Sequence, residues 1–276
     1  VKPAAARWIA AGAVVFAFLV FDFFTPRWIR DDWIAWVLVG ICIGQVNLIA
    51  AWAALAPGNV VLRLPWSLLL GMFMWYALVL GNRASNHLTP EGAAILGIVV
   101  LGGLAVLQIP LWIAGRAFRW RLVASADAAS KPSAGPLQFE LWQMMLGVLF
   151  VSIALAPARA VLPPGNLDDL RLNGALRELI VVLTAATLCN LVVTVPCIWG
   201  AFLPQRRFFR LAFAWLFHCA AVTGVGFFGL VAVLGSPGPE STKVAMSMYL
   251  LNVSQCAAVF GTLRIFRAVG FRLVRV

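Results

Sequence analysis

The stretch Trp33-Ile34-Ala35-Trp36-Val37-Leu38-Val39-Gly40-Ile41-Cys42-Ile43-Gly44-Gln45-Val46-Asn47-Leu48-Ile49-Ala50-Ala51-Trp52-Ala53-Ala54-Leu55-Ala56 runs for 24 residues without a charged side chain. An α-helix needs about 20 such residues to cross roughly 30 Å of hydrocarbon, so this run is long enough to span a bilayer. In lipid every amide must find its partner within its own segment, and the run is too continuous for the alternation of an outer-membrane strand. Helix follows. The rest of the chain has the same character: of 276 residues, 63% are hydrophobic and 11% charged, where a water-soluble domain carries about 25% charged residues.

Runs of this kind predict eight spans, at 8–24, 33–56, 62–81, 92–115, 138–157, 175–202, 208–234 and 243–263. Lys2 and Arg7 precede the first as they would a signal peptide. Phe23-Phe24-Thr25-Pro26-Arg27 follows it instead of a small-residue cleavage site, so a retained helix closed by Pro26 is expected. The basic residues set the orientation, because cytoplasmic loops retain Lys and Arg. Fourteen of the 21, among them Lys2, Arg7, Arg63, Arg116, Arg121, Arg264, Arg267 and Arg272, fall on the side of the amino terminus. The only acids there are Asp127 and Glu140, giving a net charge near +12 (14 minus 2) against −1 (7 minus 8) on the other side. Both termini are expected in the cytoplasm.

The first half of the chain is echoed in the second. Trp52-x-Ala54-x-x-Pro57-x5-Arg63-Leu64 returns as Trp199-x-Ala201-x-x-Pro204-x5-Arg210-Leu211, 147 positions later (199 minus 52). Arg116-Ala117-Phe118-Arg119-Trp120-Arg121-Leu122-Val123 returns as Arg267-Ala268-Val269-Gly270-Phe271-Arg272-Leu273-Val274, 151 positions later (267 minus 116). The expected fold class is therefore all-α, a polytopic integral membrane protein in which a four-helix transmembrane unit occurs twice in tandem. Residues 1–122 form the first repeat, 123–137 a cytoplasmic linker of small residues, and 138–276 the second repeat with a basic tail. An even number of spans per unit makes the repeats parallel, related by an axis near the membrane normal.

A net charge of +11 does not call for nucleic acid, because the Lys and Arg are spread over short loops flanking apolar helices. The expected partner is the bilayer, with anionic lipids at the cytoplasmic face drawn by about 1 kcal/mol per basic residue. The tail from Leu263 to Arg275 mixes Arg with large apolar residues, as a segment lying along the interface does, and could also dock a membrane-protein partner. Trp8, Trp28, Trp33, Trp36, Trp66, Trp112, Trp120, Trp142 and Trp199 lie near span ends, where indoles prefer the headgroup zone. Trp52, Pro57 and Arg63, with their counterparts Trp199, Pro204 and Arg210, are expected as matched anchors at the inner interface, each proline ending a helix. The external loop 161–172 reads as a solvated connection or a binding loop.

Catalytic signatures are sparse. His87 falls in an external loop and His218 inside a span, and no HExxH, GxSxG, GxxxxGK[ST] or CxxC occurs. Neither a cofactor nor a metal is expected, and the reading is non-enzymatic. Cys42, Cys189, Cys197, Cys219 and Cys256 all lie in spans and read as small core residues. Asp22, near the outer end of the first span, is the deepest carboxylate. What remains is a set of amides and one imidazole: Gln45, Asn47, Gln108, Asn190, His218, Asn252 and Gln255. They could line a polar pathway, or they could hold helices together, since a polar group in hydrocarbon needs a partner. In the aligned copies Gln45 and Asn47 correspond to Val192 and Thr194 (offset 147), which argues against a symmetric binding site. Gly40-x-x-x-Gly44 on the second span and Gly224, Gly226 and Gly229 on the seventh offer small-residue faces for close packing within the bundle or in a homo-oligomer.

Two segments, from Gly44-Gln45-Val46-Asn47 to Pro57-Gly58 and Leu137-Gln138-Phe139-Glu140-Leu141-Trp142-Gln143-Met144-Met145-Leu146, resemble segments of uncharacterised multi-pass membrane proteins of planctomycete bacteria. Glu140 and Trp142 depart from that pattern. The resemblance implies a bacterial inner-membrane protein and carries no activity with it. Function is thus expected to be that of a structural or regulatory membrane component binding lipid or another membrane protein. The alternative is a small permease or channel with a polar route between the repeats.

Overall fold

The computed structural model describes residues 4–29, 31–56, 60–84, 89–117, 120–124, 190, 192–202, 214–225 and 241–275. There the chain forms α1 Ala4–Trp28, α2 Asp32–Leu55, α3 Val60–Arg83, α4 Pro90–Ala117, β1 Trp120–Ala124, α5 Val192–Ala201, α6 Ala214–Val225, α7 Ser241–Ala268 and β2 Phe271–Arg275. Four helices, over Ala5–Trp28, Trp33–Leu55, Arg63–Arg83 and Gly92–Ala117, are long and apolar enough to cross a membrane. They stand where the apolar runs at 8–24, 33–56, 62–81 and 92–115 predict them. The expected span 138–157 and the loop 161–172 lie outside the described residues, as do most of 175–202 and 208–234.

Local chemistry explains several boundaries. Thr89 Oγ1 accepts from Gly92 N at 3.1 Å and so caps α4, with Pro90 at the first helical position. Ala56, the residue before Pro57, is extended (φ −65, ψ 155) and stops α2, as steric conflict with a following proline ring requires. Pro26 does not close the first span as expected. α1 runs through it to Trp28, because a proline near the end of a lipid-embedded helix frees only one carbonyl.

α1 and α3 run together in one direction and α2 and α4 return. Only 11% of the most apolar window of α1 is buried, against 56% for α3. α1 therefore lies at the margin of the described bundle, with Trp8 and Phe16 facing outward. It approaches α3 closely at Gly81, where an added Cβ would run into the Phe23 carbonyl. α2 is central. Its Gly40 and Gly44 press on α7, so that a Cβ at Gly40 would strike Leu251 O and Ser254 Oγ and one at Gly44 would lie 2.9 Å from Ala258 Cβ. The small-residue face of the second span is thus a contact between helices of the two expected halves. At Gly224 an added Cβ meets nothing within 4 Å among the described residues, so close packing there is not seen. Gly226 and Gly229 lie outside them.

The all-α expectation needs one correction. β1 and β2 pair antiparallel in the register Trp120↔Arg275, Arg121↔Val274, Leu122↔Leu273, Val123↔Arg272 and Ala124↔Phe271. The tail is therefore not a free interfacial segment: α7 continues to Ala268, Gly270 turns the chain at φ 105, and the last residues become a strand. A positive φ of that size is readily adopted only by glycine. β1 also carries Val123 and Ala124, the first residues of the expected linker, into ordered structure. Leu122 and Leu273 close the end of the bundle against Leu55, Phe202 and Leu263.

Candidate functional site

A buried polar cluster joins the two expected halves at Asn47, in the second half of α2. Asn47, on α2, donates to Asn190 Oδ1 and to Thr194 Oγ1, each at 2.9 Å, and Asn190 Nδ2 donates back to Asn47 Oδ1 at 2.9 Å. Two amides exchanging bonds in this way form a closed ring. Thr194 Oγ1 donates to Asn190 Oδ1 at 3.0 Å. Gln255, reaching from α7, donates to the same Asn190 oxygen and to Thr194 Oγ1 at 3.1 Å. Asn47, Thr194 and Gln255 are buried and Asn190 is half-buried.

The other expected polar residues are also paired between helices. Gln45 Nε2 donates to Asp22 Oδ1 at 2.8 Å, linking α2 to α1. Gln108 on α4 donates to Ser67 Oγ on α3 at 3.0 Å. Asn252 on α7 donates to Thr223 Oγ1 on α6 at 2.9 Å. His218 Nε2 lies 2.8 Å from the Val192 carbonyl of α5. Of the seven residues, only Asn47, Asn190 and Gln255 share one site. The remaining four serve separate helix pairs.

Asp22 and Thr194 stand outside the seven expected residues yet bond members of that set, Asp22 to Gln45 and Thr194 to Asn47 and Gln255. Asp22, placed by sequence near the outer end of its span, is fully buried, with Cys42 Sγ 3.7 Å from Oδ1 and Oδ2 without a partner. Its signal was a carboxylate inside an apolar run, which in a membrane segment is costly unless it is used. Thr194 was visible only as the repeat counterpart of Asn47.

Of the matched anchors, Trp52 is half-buried and Trp199 is 49% exposed. Pro57, Pro204 and Arg210 lie outside the described residues, with His87 and Cys189. Arg63 is half-buried on the first turn of α3. Trp52 walls an apolar cleft of ≈ 100 Å³ between α1, α2, α3 and α7, whose other lining includes Val14, Phe18, Ile49, Met74 and Phe266, with Gln45 at one point of its wall. Cys197, Cys219 and Cys256 are buried and unbridged, the last two with sulfurs 3.5 Å apart. Among the described residues no three His, Cys, Asp or Glu side chains come together as a metal site.

No family model, no curated protein and no solved structure matches this chain. The site therefore has to be read from its own chemistry.

Proposed function

We propose that the protein is a non-enzymatic structural or regulatory component of a bacterial inner membrane, built as two parallel four-helix repeats around a dry seam. Its basic face, with both termini, is cytoplasmic and binds anionic lipid or another membrane protein. The observation that carries this reading is the pairing of the intramembrane polar groups with one another. Asn47, Asn190, Thr194 and Gln255 satisfy each other across the seam, so their hydrogen-bonding capacity is spent on holding helices together.

Three coincidences support the duplication. α4 and α7 are each 28 residues long and start 151 positions apart (241 minus 90). β1 and β2 are separated by the same 151 (271 minus 120). Leu122 pairs with Leu273, its counterpart at 151, and Asn47 bonds Thr194, its counterpart at 147. Residues that meet their own counterparts sit on a two-fold axis.

One feature favours the permease reading: Asp22, a buried carboxyl with an unpartnered oxygen inside a span. The native cysteines separate the two, since a thiol reacts with a maleimide only where water lets thiolate form. In oriented vesicles treated with an impermeant maleimide from each side, a dry seam leaves Cys42, Cys197, Cys219 and Cys256 unlabelled until denaturation. Labelling of Cys42, beside Asp22, together with a second thiol would establish an aqueous route and discard the structural reading.

A further inference from the structure

Among the described residues, the buried polar side-chain atoms with no hydrogen-bond partner are Asp22 Oδ2, Arg63 Nε and Nη1, and Trp112 Nε1. Three of these four are donors, and they belong to two residues, Arg63 near the start of α3 and Trp112 near the end of α4. α3 and α4 pack antiparallel: an added Cβ on Gly71 would lie 3.0 Å from Leu104, and Gln108 donates to Ser67. Arg63, on the first turn of α3, and Trp112, near the end of α4, therefore lie at the same end of this antiparallel pair. The ribbon adds Arg121, which acts on Arg63 as a like charge. The acids expected on this side, Asp127 and Glu140, lie outside the described residues.

Arg63 is half-buried, and its buried Nε and Nη1, left without acceptors, lose hydration that no protein group replaces. A second cation nearby adds to that cost, and an acceptor carrying negative charge removes both. We infer that Arg63, Trp112 and Arg121 form a binding site for one phosphate group, as a lipid headgroup or free phosphate, at the ribbon end of the α3–α4 pair. This site deepens the proposed lipid-binding role and rests on the reading that the ribbon end faces the anionic leaflet. Arginine and an indole N–H suit a phosphate, which offers several oxygens as acceptors and sits at interface depth in a phospholipid.

Native mass spectrometry of the full chain, washed in mild detergent and titrated with phosphatidylglycerol, tests this. The wild-type chain is expected to hold one phospholipid per chain through washing. Arg63→Gln should weaken that site about tenfold or more and Arg121→Gln by several-fold. Trp112→Phe, which keeps an aromatic ring and removes one donor, should weaken it about threefold and carries the test if Arg63→Gln does not fold. Arg116 and Arg121 are both exposed at this end, but of the two only Arg121 acts on Arg63 as a like charge, so Arg116→Gln should leave the site within about twofold. Adding inorganic phosphate separates the sources: displacement of the lipid identifies free phosphate as a sufficient ligand, and retention identifies the headgroup. Equal losses for Arg63→Gln and Arg116→Gln, or no effect of Trp112→Phe, would overturn the site while leaving diffuse lipid binding intact. A wild-type chain with no retained lipid and no preference for anionic vesicles would overturn the site and the lipid-binding role together.

Discussion

Asn47 shows how much of this protein turns on single side chains. Its two N–H groups and its carbonyl are all engaged with Asn190 and Thr194, and a leucine there would leave Asn190 Nδ2 without its acceptor. Asn47→Leu is expected to destabilise the fold by about 1 to 3 kcal/mol, the cost of stranding a buried polar group. Unfolding in mixed micelles reads that loss. Asn190→Leu should cost at least as much, because Asn190 Oδ1 also accepts from Thr194 and Gln255, and both would lose that acceptor. Asn47 and Asn190 were both legible in the sequence as polar residues in spans, and their pairing was not. Unlike residues 147 positions apart look like a broken symmetry in the sequence, and only the packing shows that these two positions touch. The position of Asp22 was legible and its neighbours were not: counting residues along α1 gives depth, and only the packing of α2 against it supplies Gln45 and Cys42.

The elements were legible in proportion to their length. A run of 24 uncharged residues leaves little choice but helix, whereas the five-residue strands mix Arg with apolar side chains and read equally well as an amphipathic coat on the bilayer. What decides for strand is that each finds the other, a contact between residues 151 apart that local pattern cannot contain. Likewise Gly40-x-x-x-Gly44 announced a close contact without naming α7. The contact gives a paired prediction. Gly40→Ala should destabilise by about 1 to 3 kcal/mol through overpacking against Leu251 and Ser254. Gly103→Ala, where an added Cβ meets nothing within 4 Å among the described residues, should be neutral or stabilise by up to about 1 kcal/mol from helix propensity. Equal effects in a denaturant titration would mean that α2 and α7 do not touch at the glycines.

For the molecule as a whole, the ribbon is the joint that ties the end of one expected half to the end of the other. Residues directly opposed in an antiparallel pair have Cα atoms about 4.5 to 5.5 Å apart, within disulfide range. In a background with the native cysteines replaced, Leu122→Cys with Leu273→Cys should therefore cross-link on mild oxidation. After cleavage at a protease site placed between Ser130 and Lys131, the two fragments should migrate together until reduced. Either single substitution should give fragments that separate, and separation of the double variant under oxidising conditions would show that the strands do not pair.

The register centred on Leu122 and Leu273 has a historical consequence if the chain is a duplication. A residue facing its own counterpart is the mark of an isologous interface, the contact two identical subunits make across a two-fold. The ancestral half would have paired its terminal strand with that of a second copy, and gene fusion then converted a dimer interface into an internal one. Before fusion, one codon dictated both sides of every axial contact. Afterwards each side could change alone, and Asn47 opposite Thr194 is an axial pair that two identical subunits could not have made.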